Sequence, residues 1–292
     1  MTAPPSAPAE PRPAASVLLV REAPPGAPEP LEVYMIRRHR GMKFLGGYYA
    51  FPGGKVEPGD AAPMTLARCR GLDVAAAEAV FPGHGALPAL AFWVTAVREL
   101  LEETGVVLAC DDAGRAVVPG AAAEAVTRVR KALVADEAPF GTLLAREGWW
   151  CDVRPLRYLS HFITPTSSPI RFTARFFLCP APEAQEPALL TTETSEGFWI
   201  HPGEGYRRFV AGDMAMAEPA EYALGYLAQF RSLGEVLEAH ADGRHKFHGV
   251  IDRIHGFWAD FDWRALRFPG GAASPGATGP GEPGGPGPAA RD

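Results

Sequence analysis

The run VRELLEETGVV, residues 97–107, carries three glutamates within five positions. On a helix, Glu99, Glu102 and Glu103 stand at i, i+3 and i+4 and project from one face. Like charges at that spacing destabilise a helix, so the chain must find compensation elsewhere. One outcome is a solvated acidic face. The other is a cation site, because three carboxylates form an all-oxygen donor set suited to Mg2+ or Mn2+. Arg98, next to Glu99, is placed to orient a carboxylate through a bidentate contact. Gly105 follows where a left-handed cap would end the helix. Nothing in the few residues before Arg98 looks like a phosphate or metal loop, so the partner must come from elsewhere in the chain.

It is found upstream. FPGGKVEPGD, residues 51–60, is a glycine-rich turn. Taken together, the two segments resemble the two halves of the Nudix box: a Gly, five residues, a Glu, seven residues, then R-E-U-x-E-E-x-G-U with U aliphatic. Arg98, Glu99, Leu100, Glu102, Glu103, Gly105 and Val106 match every fixed position of the second half. Gly54 takes the anchoring Gly and Asp60 stands in the Glu position. The spacing departs from the pattern, since 37 residues separate Asp60 from Arg98. Loop-closure entropy grows logarithmically, so such an extension costs on the order of 1–2 kcal/mol. Its apolar, helix-compatible content (LDVAAAEAVF) predicts a folded cap able to influence substrate choice.

An interrupted box resembles the Nudix branch that includes the peroxisomal coenzyme A diphosphatase. HFITPTSSPIRFTARFFL, residues 161–178, and ETSEGFWIHPGE, residues 193–204, resemble further runs of that branch, except that Ala174 stands where an Asp-containing version is familiar. The resemblance covers most of residues 15–240. It implies an α/β/α sandwich with a mixed sheet, a helical insertion within the box, and hydrolysis of a nucleoside diphosphate linked to another moiety. It also implies metal ligands at Glu99, Glu102, Glu103 and the Gly54 carbonyl, with Mg2+ or Mn2+ as cofactor and Arg98 in the catalytic set. Coenzyme A and acyl-coenzyme A are the foremost substrates; ADP-ribose, NADH and dinucleoside polyphosphates are alternatives, as is a nucleotide sensor that does not hydrolyse. A coenzyme A pattern upstream of the loop is partly present: Arg38, Gly47 and Phe51–Gly54 match, while Ile36, His39 and Lys43 replace its Thr, Ser/Ala and second Arg. Arg38, Lys43, Gly53 and Gly54 are the expected substrate-binding residues. The basic cluster Arg37, Arg38, His39, Arg40 and Lys43 either holds phosphates or is a solvated strand end. Glu193 and Glu196 are candidates for a general base.

Other signals narrow the class. The net charge of −6 gives no support to nucleic-acid binding. Cys69, Cys110, Cys151 and Cys179 show no CxxC spacing, which suits a reducing cytosol. The most apolar passage, residues 79–97, is broken by Pro82, His84 and Pro88, against a membrane span. The expected setting is cytoplasmic, with a small-molecule nucleotide diphosphate derivative as partner, no nucleic acid, no membrane, and room for a homodimer. The Pro/Ala-rich residues 1–14 and the Gly/Pro-rich residues 269–292 read as disordered, leaving one domain over 15–268 with its insertion at about 61–90. Helices are expected over Ala91–Thr104, Ala121–Arg146 and Ala217–Ala241. His240, His245, His248 and His255 lack a companion Cys and read as surface or core rather than zinc ligands. Trp149, Trp150, Tyr158 and Phe162 either pack at a helix–strand junction or stack on an adenine.

Overall fold

Strand β1, Arg12–Glu22, carries an unbroken apolar run from Val17 to Val20, and its alternating side chains feed two different cores. Ala15, Val17 and Leu19 point to one face of the sheet, Leu18 and Val20 to the other. A strand buried on both faces requires a layer on each. The computed structural model describes residues 8–42, 44–189, 194–241 and the strand 247–250.

The remaining strands are β2 Leu31–Arg38, β3 Tyr49–Ala50, β4 Gly53–Lys55, β5 Cys69–Arg70, β6 Ala109–Cys110, β7 Trp150–Asp152, β8 Arg157–Ile163, β9 Phe172–Pro180, β10 Thr194–Ile200 and β11 Phe247–Val250. The main sheet runs β10-β2-β1-β9-β8-β11, with β3 on β2 and β4 on β1. It is mixed: β1 pairs β9 in parallel and β2 antiparallel. A second, three-stranded sheet runs β5-β7-β6.

The helices are α1 Pro63–Leu66, α2 Val74–Val80, α3 Leu90–Thr104, α4 Pro119–Val134, α5 Phe140–Arg146, α6 Pro202–Val210, α7 Glu218–Leu227 and α8 Leu233–Ala239. Helix α3 packs on one face of the sheet with α4 and α5, while α7 and α8 supply Ala220, Tyr222, Leu224 and Val236 to the core on the other. The expected α/β/α sandwich is thus the observed fold. The insertion is helical as expected, carrying α1 and α2. It closes on the body through Phe81, whose ring stacks on Trp93 at 4.6 Å and leans on Tyr158 at 4.5 Å.

Three expectations shift. Arg12, Pro13 and Ala14 belong to β1 rather than to a disordered segment over 1–14, because parallel pairing with Phe172, Thr173 and Ala174 absorbs them into the sheet. The helix expected over 121–146 is two, α4 and α5, parted where Asp136 adopts φ 52° ahead of Pro139. The helix expected over 217–241 is also two, because Ser232 caps α8 by accepting from the Glu235 N–H at 3.1 Å. The tail 269–292 lies outside the described residues.

Candidate active site

Helix α3 owes its position to a buried apolar stripe that includes Leu90, Phe92, Trp93, Val97, Leu100 and Leu101. That burial directs its polar edge toward the glycine loop. Gly105 ends the helix at φ 75°, and a side chain there would also collide with Arg130. Arg130, 28 residues away on α4, donates to the Glu102 carbonyl at 3.0 Å and so covers the helix C-terminus.

The two halves of the motif meet through Arg98 and Asp60. Arg98 Nε and Nη2 reach the two Asp60 oxygens at 2.8 and 3.0 Å, a bidentate pair buried on both sides. Asp60 Oδ2 also accepts from the Thr95 hydroxyl at 2.8 Å and the Glu57 N–H at 3.0 Å, and Arg98 Nη2 donates to the Lys55 carbonyl at 2.9 Å. The bidentate partner of Arg98 is therefore Asp60, not a helix glutamate. Thr95, three residues before Arg98 on the same helix face, was missed in the sequence; its signal was one polar residue inside an apolar stretch.

The remaining nitrogen, Arg98 Nη1, lies between Glu99 at 2.9 Å and Glu102 at 3.2 Å. Burial opposes the Arg98 charge, but Glu99, Asp60 and Glu102 outweigh it and hold the guanidinium well above its ordinary value. Glu103 turns to the loop and accepts the Gly53 N–H at 2.8 Å. Gly54 lies so close to Glu99 that a Cβ there would press on the carboxylate as it stands, and glycine leaves that approach open. The three glutamates thus share one wall, as expected, though among the described residues no group of three acidic, His or Cys side chains converges on a single point.

Does this wall fit a divalent cation? The donor chemistry does: carboxylates and loop main chain are hard oxygen ligands. The charge balance does as well. Four carboxylates, Asp60, Glu99, Glu102 and Glu103, stand around the single guanidinium of Arg98, and burial, chiefly, with the nearby Glu102 charge pushes the Glu99 carboxyl up to about 7 despite Arg98.

A cleft of about 1150 Å³ opens in front of it. Gly53, Gly54, Arg98, Glu99, Glu102 and Glu103 line one side, and Arg38 stands on the rim with a buried Nε that has no hydrogen-bond partner among the described residues. Another part of the lining is aromatic. Phe172, Ala174 and Phe176 alternate along β9 and project to one face, and Phe162 on β8 lies in register with Ala174. Phe162 and Phe176 meet edge to face at 5.4 Å, and Phe44 leans on Phe172 at 5.2 Å.

Several sequence expectations are not brought together here. Lys43 and Glu193 lie outside the described residues, as do the side chains of His245, His248 and His255. Arg37 is committed to Glu196 at 3.1 Å and to the Tyr49 ring, which keeps Glu196 at a strand edge rather than in the cleft. His240 is buried against the Tyr226 hydroxyl at 3.0 Å. Trp149 is buried and Trp150 is held by Arg68 and Arg70, so of the four expected aromatics only Phe162 faces the cleft. Among the described residues, none of 61–90 lines the cleft, so the insertion packs behind the site instead of capping it.

A sandwich with a glycine loop locked to an R-E-x-x-E-E helix defines a Nudix-type hydrolase. The chain belongs to that family: residues 75–227 match the model of the NUDT19 Nudix domain. It is 27% identical to the acyl-coenzyme A diphosphatase NUDT19 of Gallus gallus, over 79% of this chain and 71% of that one. It is 28% identical to the Homo sapiens protein of the same name, over 73% of this chain and 65% of that one. Among solved structures it is similar to a Nudix hydrolase from Alicyclobacillus acidocaldarius, at 27% identity and a TM-score of 0.65, covering 79% of this chain and 96% of that chain. The interrupted-box branch read from the sequence is therefore the right one, and the protein is a hydrolase. Hydrolases of this family generally use divalent metals and act on nucleotide-derived small molecules. No described helix is long and apolar enough to cross a membrane.

Proposed function

We propose that this protein hydrolyses the pyrophosphate bond of acyl-coenzyme A and coenzyme A in the presence of Mg2+ or Mn2+, releasing 3′,5′-ADP and the (acyl-)4′-phosphopantetheine. The observation that supports the reading is the lining of the cleft, which joins an acidic wall to an aromatic one. Glu99, Glu102, Glu103 and the Gly54 carbonyl would hold the cation. When bound, it supplies charge neutralisation for the pyrophosphate and for the negative charge that builds as water attacks.

The chain's own groups do the rest. Asp60 holds Arg98 rigidly, and Arg98 keeps Glu99 and Glu102 at a fixed spacing. The Gly53 N–H fixes the Glu103 carboxylate, a group of the kind that orients or deprotonates a water. Arg38, without a carboxylate partner among the described residues, is placed for a phosphate group. Phe162, Phe172, Phe176 and Ala174 make a dry wall that suits an alkyl chain better than a second ribose. This favours coenzyme A derivatives over ADP-ribose, NADH or dinucleoside polyphosphates.

A non-catalytic nucleotide sensor is disfavoured because Glu99, Glu102 and Glu103 are all retained, the first two held by Arg98 and the third by the glycine loop. Steady-state hydrolysis of acyl-coenzyme A with and without Mg2+ tests the reading. Turnover that depends on the metal is expected; tight binding with no turnover would reverse it. The cytoplasmic setting and the homodimer belong to this proposal as the sequence reads them.

A further inference from the structure

The insertion is joined to the body by a short parallel ladder as well as by packing. β5 belongs to the inserted stretch and runs beside β7, with Cys69 opposite Cys151 and Arg70 opposite Asp152. The register is held by the Cys151 N–H to the Arg68 carbonyl at 2.9 Å and the Val153 N–H to the Arg70 carbonyl at 3.0 Å. Arg68 and Arg70 place their guanidinium carbons 5.0 and 4.0 Å from the Trp150 ring centre. Arg68 also donates to the Trp149 carbonyl at 2.6 Å.

This geometry brings two thiols together. Adjacent strands lie about 4.8 Å apart, inside the roughly 4.4–6.8 Å range of Cα separations that a disulfide spans. Partners in a parallel ladder project to the same face, so the two Cβ atoms run side by side. The Cys151 thiol is sealed from solvent and pushed up from its ordinary value, first by its hydrogen bond with Cys69 and then by burial. Cys69 is partly exposed and donates to the Thr65 carbonyl at 3.6 Å. Cys110 and Cys179 are buried opposite Trp150 and Leu19, so neither faces a thiol in register.

We propose that Cys69 and Cys151 form an oxidisable dithiol, a modification site that ties the insertion covalently to β7. With a peroxide as oxidant the step balances. The Cys69 thiolate attacks one peroxide oxygen; the O–O bond breaks, Cys69 becomes a sulfenic acid, and the departing hydroxide takes up the thiol proton as water. The Cys151 sulfur then attacks Cys69, the S–S bond forms as the S–O bond breaks, and the Cys151 proton leaves with the hydroxyl as a second water. Two thiols lose two electrons and one peroxide becomes two waters. Solvent reaches Cys69 first, and Cys151 resolves the intermediate because the ladder holds the two residues directly in register. Neither residue lines the cleft, so the dithiol is independent of the substrate reading.

The experiment compares the full chain after hydrogen peroxide with the same protein kept in dithiothreitol. The expected result is a mass loss of about 2 Da, a non-reducing peptide map dominated by the Cys69–Cys151 link, and a melting temperature higher by on the order of 5–15 °C, reversed by reductant. Cys69→Ser and Cys69→Ala should abolish both the link and the rise. A link between other cysteines, a sulfinic acid at Cys69 without a link, or an unchanged thiol count would overturn the proposal. So would an equal rise in the Cys69 variants. The wild-type peptide map decides the matter even where a variant folds poorly.

Discussion

The cleft has two walls made in opposite ways. The acidic wall comes from two short stretches, residues 53–60 and 98–105, and is knitted by charge: Arg98 binds Asp60, Glu99 and Glu102, while Glu103 accepts from the loop at Gly53. The aromatic wall comes from β8, β9 and the loop at Phe44, and is held by strand alternation and ring packing. Removing one charge from the first leaves another buried without its partner. Removing one ring from the second leaves a gap its neighbours can partly fill. On the proposed function, the first wall fixes the chemistry with little tolerance, and the second sets which molecule is presented to it.

The largest effect separating the walls should come from Glu103→Gln. The amide keeps an oxygen for the Gly53 N–H, so the fold should survive. The charge is gone, and kcat should fall on the order of 10³-fold, about 4 kcal/mol, with every substrate alike. A loss for acyl-coenzyme A alone would mean that the walls are not separable.

Asp60→Asn comes next and addresses the fold rather than the chemistry. It strips the bidentate partner from a buried guanidinium, which should cost about 3–5 kcal/mol of stability. Chemical denaturation would read this as a lower midpoint at unchanged slope. A near-neutral outcome would show that the neighbouring glutamates hold Arg98 unaided.

A third test concerns the layer behind the aromatic wall. The Glu221 carboxyl on α7 is pushed up to about 7 from 4.5, by burial first and then by the Glu218 charge. Its folded-state value is raised, so the protonated form suits the fold and ionisation opposes it. That contribution is complete below pH 4.5 and is lost as pH rises toward 7. The wild type should lose on the order of 2–3 kcal/mol across this window, and Glu221→Gln should flatten the slope. Identical stability-versus-pH curves for the two proteins would refute the assignment.

The smallest effect is the most specific. Ala174→Asp places a carboxylate in the dry wall, and kcat/KM for a medium-chain acyl-coenzyme A should fall about tenfold, near 1.4 kcal/mol. Free coenzyme A should change much less. Equal losses for both would remove the acyl chain from this wall.

The two walls were also unequally legible in the sequence. The acidic wall could be read because its residues are contiguous and each has a fixed chemical duty; even the long interruption left both halves recognisable. Asp60 was placed in its motif position, but its bidentate hold on Arg98 needed the fold. The aromatic wall was legible only at Phe162, because Phe172 and Phe176 join it through strand register and Phe44 through a loop that folds onto Phe172. Alternation along β9 separates two faces without saying which one lines a cleft. Ala174 was noticed as a departure, yet its meaning depends on the rings around it. The broken helices carried readable signals in Pro139 and in Ser232 with Glu235. The early start of β1 did not, since pairing with β9 overrides a Pro/Ala-rich composition.

On the proposed function, the acidic wall cleaves what the aromatic wall selects. The most direct test is product analysis by mass spectrometry after incubation with acyl-coenzyme A, coenzyme A and ADP-ribose, each with and without Mg2+. The account predicts 3′,5′-ADP with acyl-4′-phosphopantetheine as the fastest-formed pair, only with the metal, and none from Glu103→Gln. Hydrolysis of ADP-ribose with no turnover of either coenzyme A compound would contradict it.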